Sequence, residues 1–265
     1  QPNRLGFALA LGRTYNNHQI YNKATSVLRR AIEITDQHPE IWIEMARALQ
    51  GTGDYLEALE CSGKAADLLP EEIRPLLLSG EIAIALGKLD WAYSYAQEAY
   101  KIANRDEKVI LFLARVMEKR GKPAEGLALI EKVLASGDPV ESLVFEQARL
   151  LKKIHGPKAA LPVLNRLAQE NSSSVEALSL LAQVQADCGD MISAEKTARK
   201  ALETNPNDPE INLLLGRLLY KAGQLDQSIV YLKLATVSGD KSLEALMEGP
   251  GITEGIAQGL KTGLE

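Results

Sequence analysis

Apolar residues recur along the chain with two superposed periods. Over about a dozen residues they fall at i, i+3, i+4 and i+7, the stripe of an amphipathic helix. Trp42, Met45, Ala46 and Leu49 form one stripe; Ala194, Ala198, Ala201 and Leu202 form another. At longer range, Gly53-Asp54-Tyr55-x-x-Ala58 returns as Gly87-Lys88-Leu89-x-x-Ala92, 34 residues later. Gly189-Asp190-Met191-x-x-Ala194 and Gly223-Gln224-Leu225-x-x-Ser228 show the same offset. A 34-residue frame gives seven copies without insertion or deletion: 5–38, 39–72, 73–106, 107–140, 141–174, 175–208 and 209–242. Residues 1–4 remain as an N-terminal stub and 243–265 as a C-terminal tail.

The columns of this frame have physical content. The eighth residue of each copy is small: Gly12, Ala46, Gly80, Ala114, Ala148, Ala182 and Gly216. The twentieth is Ala24, Ala58, Ala92, Gly126, Ala160, Ala194 and Ser228. Small residues at fixed places let two helix axes approach closely. Gly53, Gly87, Gly121, Gly189 and Gly223 share the fifteenth position, where a helix C-cap needs left-handed backbone. Pro123 and Pro157 fall in the first turn of the second helix, where a missing N–H costs nothing. Each copy therefore reads as helix–turn–helix, unable to bury its apolar faces alone. Stacked neighbours bury them, which predicts an all-α fold, an α-solenoid of seven such units.

These columns resemble the tetratricopeptide repeat (TPR): a large residue at 4, a small one at 8, Gly at 15, Ala at 20 and 27, Pro near 32. Asn205-Pro206-Asn207-Asp208-Pro209-Glu210, at a repeat junction, is typical of it. The departures are local. Repeat 4 has Val133 at position 27, repeat 5 moves its glycine to Gly156, and only repeat 2 has Trp at position 4. Pro162, inside the second helix of repeat 5, predicts a modest kink there. The resemblance implies a right-handed superhelix whose concave groove is lined by first-helix positions 2, 5, 6, 9, 12 and 13. It also implies recognition of a protein or peptide. The chaperone-binding carboxylate clamp of some relatives is disfavoured, because no repeat has Lys at 5 or Asn at 6.

Within those groove positions the residues vary. Position 5 holds Leu9, Ile43, Leu77, Leu111, Phe145, Ser179 and Leu213; position 9 holds Arg13, Arg47, Glu81, Arg115, Arg149, Gln183 and Arg217. An i, i+4 relation puts each pair on one side of its helix. The expectation is an apolar strip beside a ladder of arginines, extended by Lys119, Lys152, Lys153 and Lys221. Arginine's planar fork suits a carboxylate, so the expected ligand is a peptide or helix with apolar anchors and acidic groups. The competing expectation is that Glu44, Glu146 and other acids pair with these arginines and fix the stacking.

Composition narrows the function classes. Aromatic residues are 5% of the chain, too few for a sandwich or barrel, and the net charge of −5 is not a nucleic-acid footprint. No apolar run approaches the ~20 residues of a membrane helix. Cys61 and Cys188 are too few for a disulfide framework, and a cytoplasmic protein is expected. His18, His38 and His155 sit in turns or junctions without a catalytic or metal-binding spacing, so no enzyme activity, cofactor or metal is expected. The start at Gln1-Pro2-Asn3 reads as a cut within a longer protein. A regulatory or targeting module of a larger enzyme is therefore the alternative function. A third is self-assembly through the solenoid ends and the tail. In the tail, Gly251, Gly255, Gly259 and Gly263 alternate with Ile252, Ile256, Leu260 and Leu264, which suits a docked cap, a binding segment or a frayed end.

Overall fold

The computed structural model describes residues 2–137, 140–171 and 174–238. The tail at 243–265, and the readings attached to it, lie outside the described residues. The chain divides into two compact units, residues 1–138 and 139–265. The first holds α1 (Pro2–Asn17), α2 (Tyr21–Ile34), α3 (Pro39–Thr52), α4 (Tyr55–Leu68), α5 (Ile73–Ala85), α6 (Leu89–Ile102), α7 (Glu107–Lys119) and α8 (Pro123–Ala135). The second holds α9 (Glu141–His155), α10 (Pro157–Glu170), α11 (Val175–Asp187), α12 (Met191–Thr204), α13 (Pro209–Lys221) and α14 (Leu225–Ser238). Among the described residues there is no strand, and the architecture is an α-solenoid of helical hairpins.

Within each unit every helix packs on its neighbours in sequence, and first helices of adjacent repeats also touch: α1 with α3, α3 with α5, α5 with α7, α11 with α13. The stripes read from sequence are what these contacts bury. Leu28, Met45, Leu49 and Ile82 are at most 1% exposed in the first unit, as are Leu150, Leu164, Ile211 and Leu215 in the second. Each such side chain contributes about 1.5–3 kcal/mol of burial, several times any helix-propensity difference between residues. Packing therefore holds the hairpins together.

The small residues sit where no more atoms fit. A Cβ on Gly80 of α5 would lie 2.5 Å from Phe112 Cζ of α7, and one on Gly126 of α8 would lie 3.1 Å from the Ala114 carbonyl oxygen. Outside repeat 5, the hairpin turns share one hydrogen-bond pattern. The Gly53 N–H donates to the Gln50 carbonyl at 3.2 Å and the Asp54 N–H to the Leu49 carbonyl at 2.9 Å, with Gly53 at φ 90°. This is the Schellman closure. Repeat 1 makes the same closure without a glycine: Gln19 takes φ 58°, and the Ile20 N–H reaches the Tyr15 carbonyl at 2.8 Å.

Repeat 5 differs because its link is a single residue. Gly156 ends α9 and begins α10 at φ 86°, ψ 169°, a region essentially confined to glycine. This explains the displaced glycine of its sequence. Downstream, α10 runs as one helix through Pro162 to Glu170, with Ala160, Leu164 and Leu167 buried. Pro162 lies on the exposed side, where water can satisfy the Lys158 carbonyl that loses its donor.

Candidate partner-binding face

In the first unit the groove positions of α1, α3 and α5 are joined by charge. Glu44, at position 6 of repeat 2, is 1% exposed. Its carboxylate accepts from Arg13 Nε at 2.9 Å, Asn16 Nδ2 at 3.0 Å and Arg47 Nη1 at 3.4 Å. Glu40 accepts from Arg74 at 2.7 Å and Arg13 at 3.0 Å. The Arg74 hydrogen bond holds the Glu40 carboxyl below its usual range, against the opposing effect of burial. Position 9 of repeat 1 thus reaches positions 2 and 6 of repeat 2.

Internal pairing, the competing expectation, takes up three arginines of the ladder. Arg13 and Arg47 are engaged by Glu44. In the second unit Arg149 makes a two-pronged pair with Glu146 on its own helix, at 2.6 and 2.8 Å. A buried or half-buried carboxylate one turn or one repeat away is a nearer partner than any ligand. Arg115 and Arg217 differ: both are exposed, and neither has a hydrogen bond or ion pair among the described residues. Lys119, Lys153 and Lys221 are exposed at the ends of α7, α9 and α13. Lys152 instead bridges to Asp187 at 2.6 Å.

The apolar strip is corrected at one place. Ile43 is 1% exposed and belongs to the core of the first unit, packed in the same cluster as Leu9 of α1 and Leu78 of α5. Contacts from both neighbouring first helices cover it. Leu9, Leu77, Leu111, Phe145 and Leu213 are only partly buried and keep accessible surface.

Among the described residues, a cavity opens on this face in the first unit and another in the second. The first, of about 350 Å³, is lined by Asn16, Tyr21, Glu44, Arg47, Leu78 and Glu81 among others. Burial in this concavity raises the Glu81 carboxyl above its usual range, and Arg115 and Arg47 oppose the rise. The second, of about 660 Å³, is lined by Phe145 of α9, by Val175, Glu176, Ser179, Leu180 and Gln183 of α11, and by Glu210 and Leu214 of α13. Ser174, Asn205 and Asp208 complete its edge. The sequence pattern places positions 2 and 6 in the groove, but the expected ligand contacts are drawn from 5, 9, 12 and 13 alone. Glu176, Leu180, Glu210 and Leu214, at 2 and 6 of repeats 6 and 7, were the signal for this cavity.

The reactive side chains are dispersed. Cys61 is buried and burial pushes its thiol up to about 11, which suppresses the thiolate. His18 and His155 are exposed and His38 is half-buried at the start of α3. Among the described residues, no group of three or more His, Cys, Asp or Glu is placed to hold a metal ion. No described helix is long and apolar enough to cross a membrane.

Comparison with known proteins bears on the whole pattern. Two family models described as tetratricopeptide repeat match residues 145–209 and 189–246. Human tetratricopeptide repeat protein 7B is 31% identical over 107 residues, which are 40% of this chain and 12% of that protein. A TPR repeat-containing protein of Methanocaldococcus jannaschii is 28% identical over 162 residues, 60% of this chain and 28% of the relative. The chain thus spans well under half the length of these relatives. Among solved structures, a tetratricopeptide repeat protein from Parabacteroides merdae aligns over 99% of this chain and 100% of its own, with TM-score 0.67 at 13% identity. Pseudomonas aeruginosa PilF aligns over 79% of this chain and 96% of its own, with TM-score 0.58 at 22% identity. Residues 145–246 thus match models of the tetratricopeptide repeat, and the 34-residue hairpins of the first unit, with their Schellman turns and small residues at the helix crossings, follow the same design.

Proposed function

We propose that the first-helix face of each unit receives a segment of a partner protein, with apolar side chains against Leu77 and Leu111 and a carboxylate on Arg115 in the first unit, and with apolar side chains against Phe145 and Leu213 and a carboxylate on Arg217 in the second. The observation that carries this reading is selective pairing. Three of the five position-9 arginines are engaged internally, while Arg115 and Arg217 stand exposed beside half-buried leucines without a hydrogen bond or ion pair among the described residues.

Magnitudes divide the work between the two kinds of contact. An exposed arginine–carboxylate pair contributes about 0.2–1 kcal/mol, whereas burying a leucine or phenylalanine contributes about 1.5–3 kcal/mol. The leucines and Phe145 would supply most of the affinity, and the arginines would set register and association rate. No chemistry on the partner is part of this reading.

The test is fluorescence anisotropy with a labelled synthetic peptide of alternating Leu and Glu, at low salt. Arg115→Glu together with Arg217→Glu should weaken binding about tenfold or more relative to the unchanged protein. Equal affinity of the two proteins would count against the arginine contacts. A second reading, in which the repeats target or regulate an enzyme, draws on the greater length of the relatives. Self-association is a third; sedimentation over a concentration range separates it.

A further inference from the structure

We propose that the cavity of the second unit takes a partner segment carrying an apolar side chain next to a lysine or arginine, so that the partner is basic at this site. The proposal rests on the groove-binding reading above and specifies its ligand. The geometry has two parts, an apolar floor and an acidic rim.

Phe145, Leu180 and Leu214, from three different helices, face one concavity of about 660 Å³. That is room for one large side chain and part of its neighbours. Glu176 and Glu210 border it from position 2 of successive repeats, in the first turns of α11 and α13, helices that touch each other. Both carboxylates are exposed, and neither has a hydrogen bond or ion pair among the described residues. The helix dipole accounts for an acid in a first turn. It does not account for an open apolar floor beneath two of them.

Nearby cations do not cancel this rim. Arg149 is held by Glu146 at 2.6 Å and Lys152 by Asp187 at 2.6 Å. Arg217 lies on α13 seven residues beyond Glu210, about 10 Å along the helix axis. The rim is also fixed in place. Asp208 caps α13, its carboxylate accepting from the Glu210 and Ile211 N–H groups at 3.1 and 3.0 Å. Ser174 caps α11 through the Ala177 N–H at 3.3 Å and donates to Glu141 at 2.7 Å. Asp208 adds negative charge at the edge, with Oδ1 engaged in the cap and Oδ2 3.5 Å from Asn205 Nδ2, and Glu176 and Glu210 are the exposed carboxylates that meet an incoming cation. Charge complementarity therefore selects lysine or arginine, and the floor selects an apolar neighbour.

The experiment uses the whole chain and two labelled synthetic peptides of equal length, one alternating Phe and Lys, the other Phe and Glu, in which only the charge differs. The variants are Glu176→Gln with Glu210→Gln, Phe145→Ala, and Glu203→Gln as an acid outside the cavity. Circular dichroism melts confirm that each is folded. The Phe–Lys peptide should bind more tightly to the unchanged protein, lose about tenfold in affinity with the double glutamine variant, and lose affinity with Phe145→Ala. Glu203→Gln should change nothing. If the Phe–Lys peptide binds, depends on Phe145 and ignores the double glutamine variant, the charge assignment is overturned and the groove reading stands. If Phe–Lys binding ignores Phe145 as well, or the Phe–Glu peptide binds the unchanged protein more tightly, this assignment is overturned and the groove reading stands; if neither peptide binds, both are overturned.

Discussion

Arg13 Nε and Glu44 Oε1 meet at 2.9 Å across the junction between the first two repeats, the carboxylate buried and the guanidinium half in solvent. Asn16 and Arg47 donate to the same carboxylate. Glu44→Ala removes the one acceptor shared by three donors and leaves Asn16 Nδ2 with only the Glu44 backbone carbonyl. The expected loss is about 1–3 kcal/mol, read as a lower urea midpoint. Arg13→Ala should cost less, because the exposed arginine is the weaker half of the pair.

Gln19 holds a left-handed backbone that glycine holds in five other hairpins of the same design. Gln19→Gly removes the steric cost of a Cβ there and adds unfolded-state entropy in partial compensation. The balance should stabilise by a few tenths to about 1 kcal/mol. Gly53→Ala, the reverse exchange in repeat 2, should destabilise by about 1 kcal/mol. A thermal melt of both variants checks the pair of signs.

At the α5–α7 crossing the constraint is space. The Cβ of Gly80→Ala would meet Phe112 at 2.5 Å, so the ring must move. Overpacking of this kind costs about 1–3 kcal/mol. Phe112→Leu should recover part of the loss in the double variant while costing stability alone. Chemical denaturation of all four proteins measures that coupling.

Two carboxylates give opposite dependences on pH. Glu81 is raised by burial, so the folded chain keeps its proton to higher pH than the unfolded chain, and the ionised form weakens the fold. Glu81→Gln should therefore be more stable than the unchanged protein at neutral pH, the difference closing as pH falls through that raised value. Glu40 is lowered by Arg74, so its contribution is present above the usual carboxylate range and fades as pH falls through the lowered value. Glu40→Gln should be the less stable protein at neutral pH. Urea midpoints from about pH 7 to about pH 3 follow both.

The fold was legible because the repeat imposes the same demands at the same spacing. From α3 onward the first helices begin at residues 39, 73, 107, 141, 175 and 209, in steps of 34. Small residues at 8 and 20 answer to contacts within hairpins and between neighbouring repeats. The face was legible only in part. Position alone put Arg13, Arg47 and Arg115 in one ladder, and only the packed structure separates them. Arg13 and Arg47 both reach Glu44, at position 6 of repeat 2, whereas Arg115 has Phe112 at position 6 of its own helix and makes no hydrogen bond or ion pair among the described residues, although position 6 of the following repeat is also acidic. Ile43 was misread because hydrophobicity does not say how closely two flanking helices cover a side chain. The cavity under Phe145 needs three helices from three repeats, so no single stretch of sequence displays it.

The central claim is that partner segments lie on the first-helix faces. Photo-crosslinking tests it most directly: a photoreactive amino acid replaces Leu111 or Leu213 on those faces, or Leu56 or Ile192 on the second helices α4 and α12, where both side chains are well exposed. The mixed Phe–Lys and Leu–Glu peptides are then irradiated with each protein. Capture at Leu111 and Leu213 with little at Leu56 and Ile192 is the expected result; equal or greater capture at Leu56 and Ile192 would contradict the account.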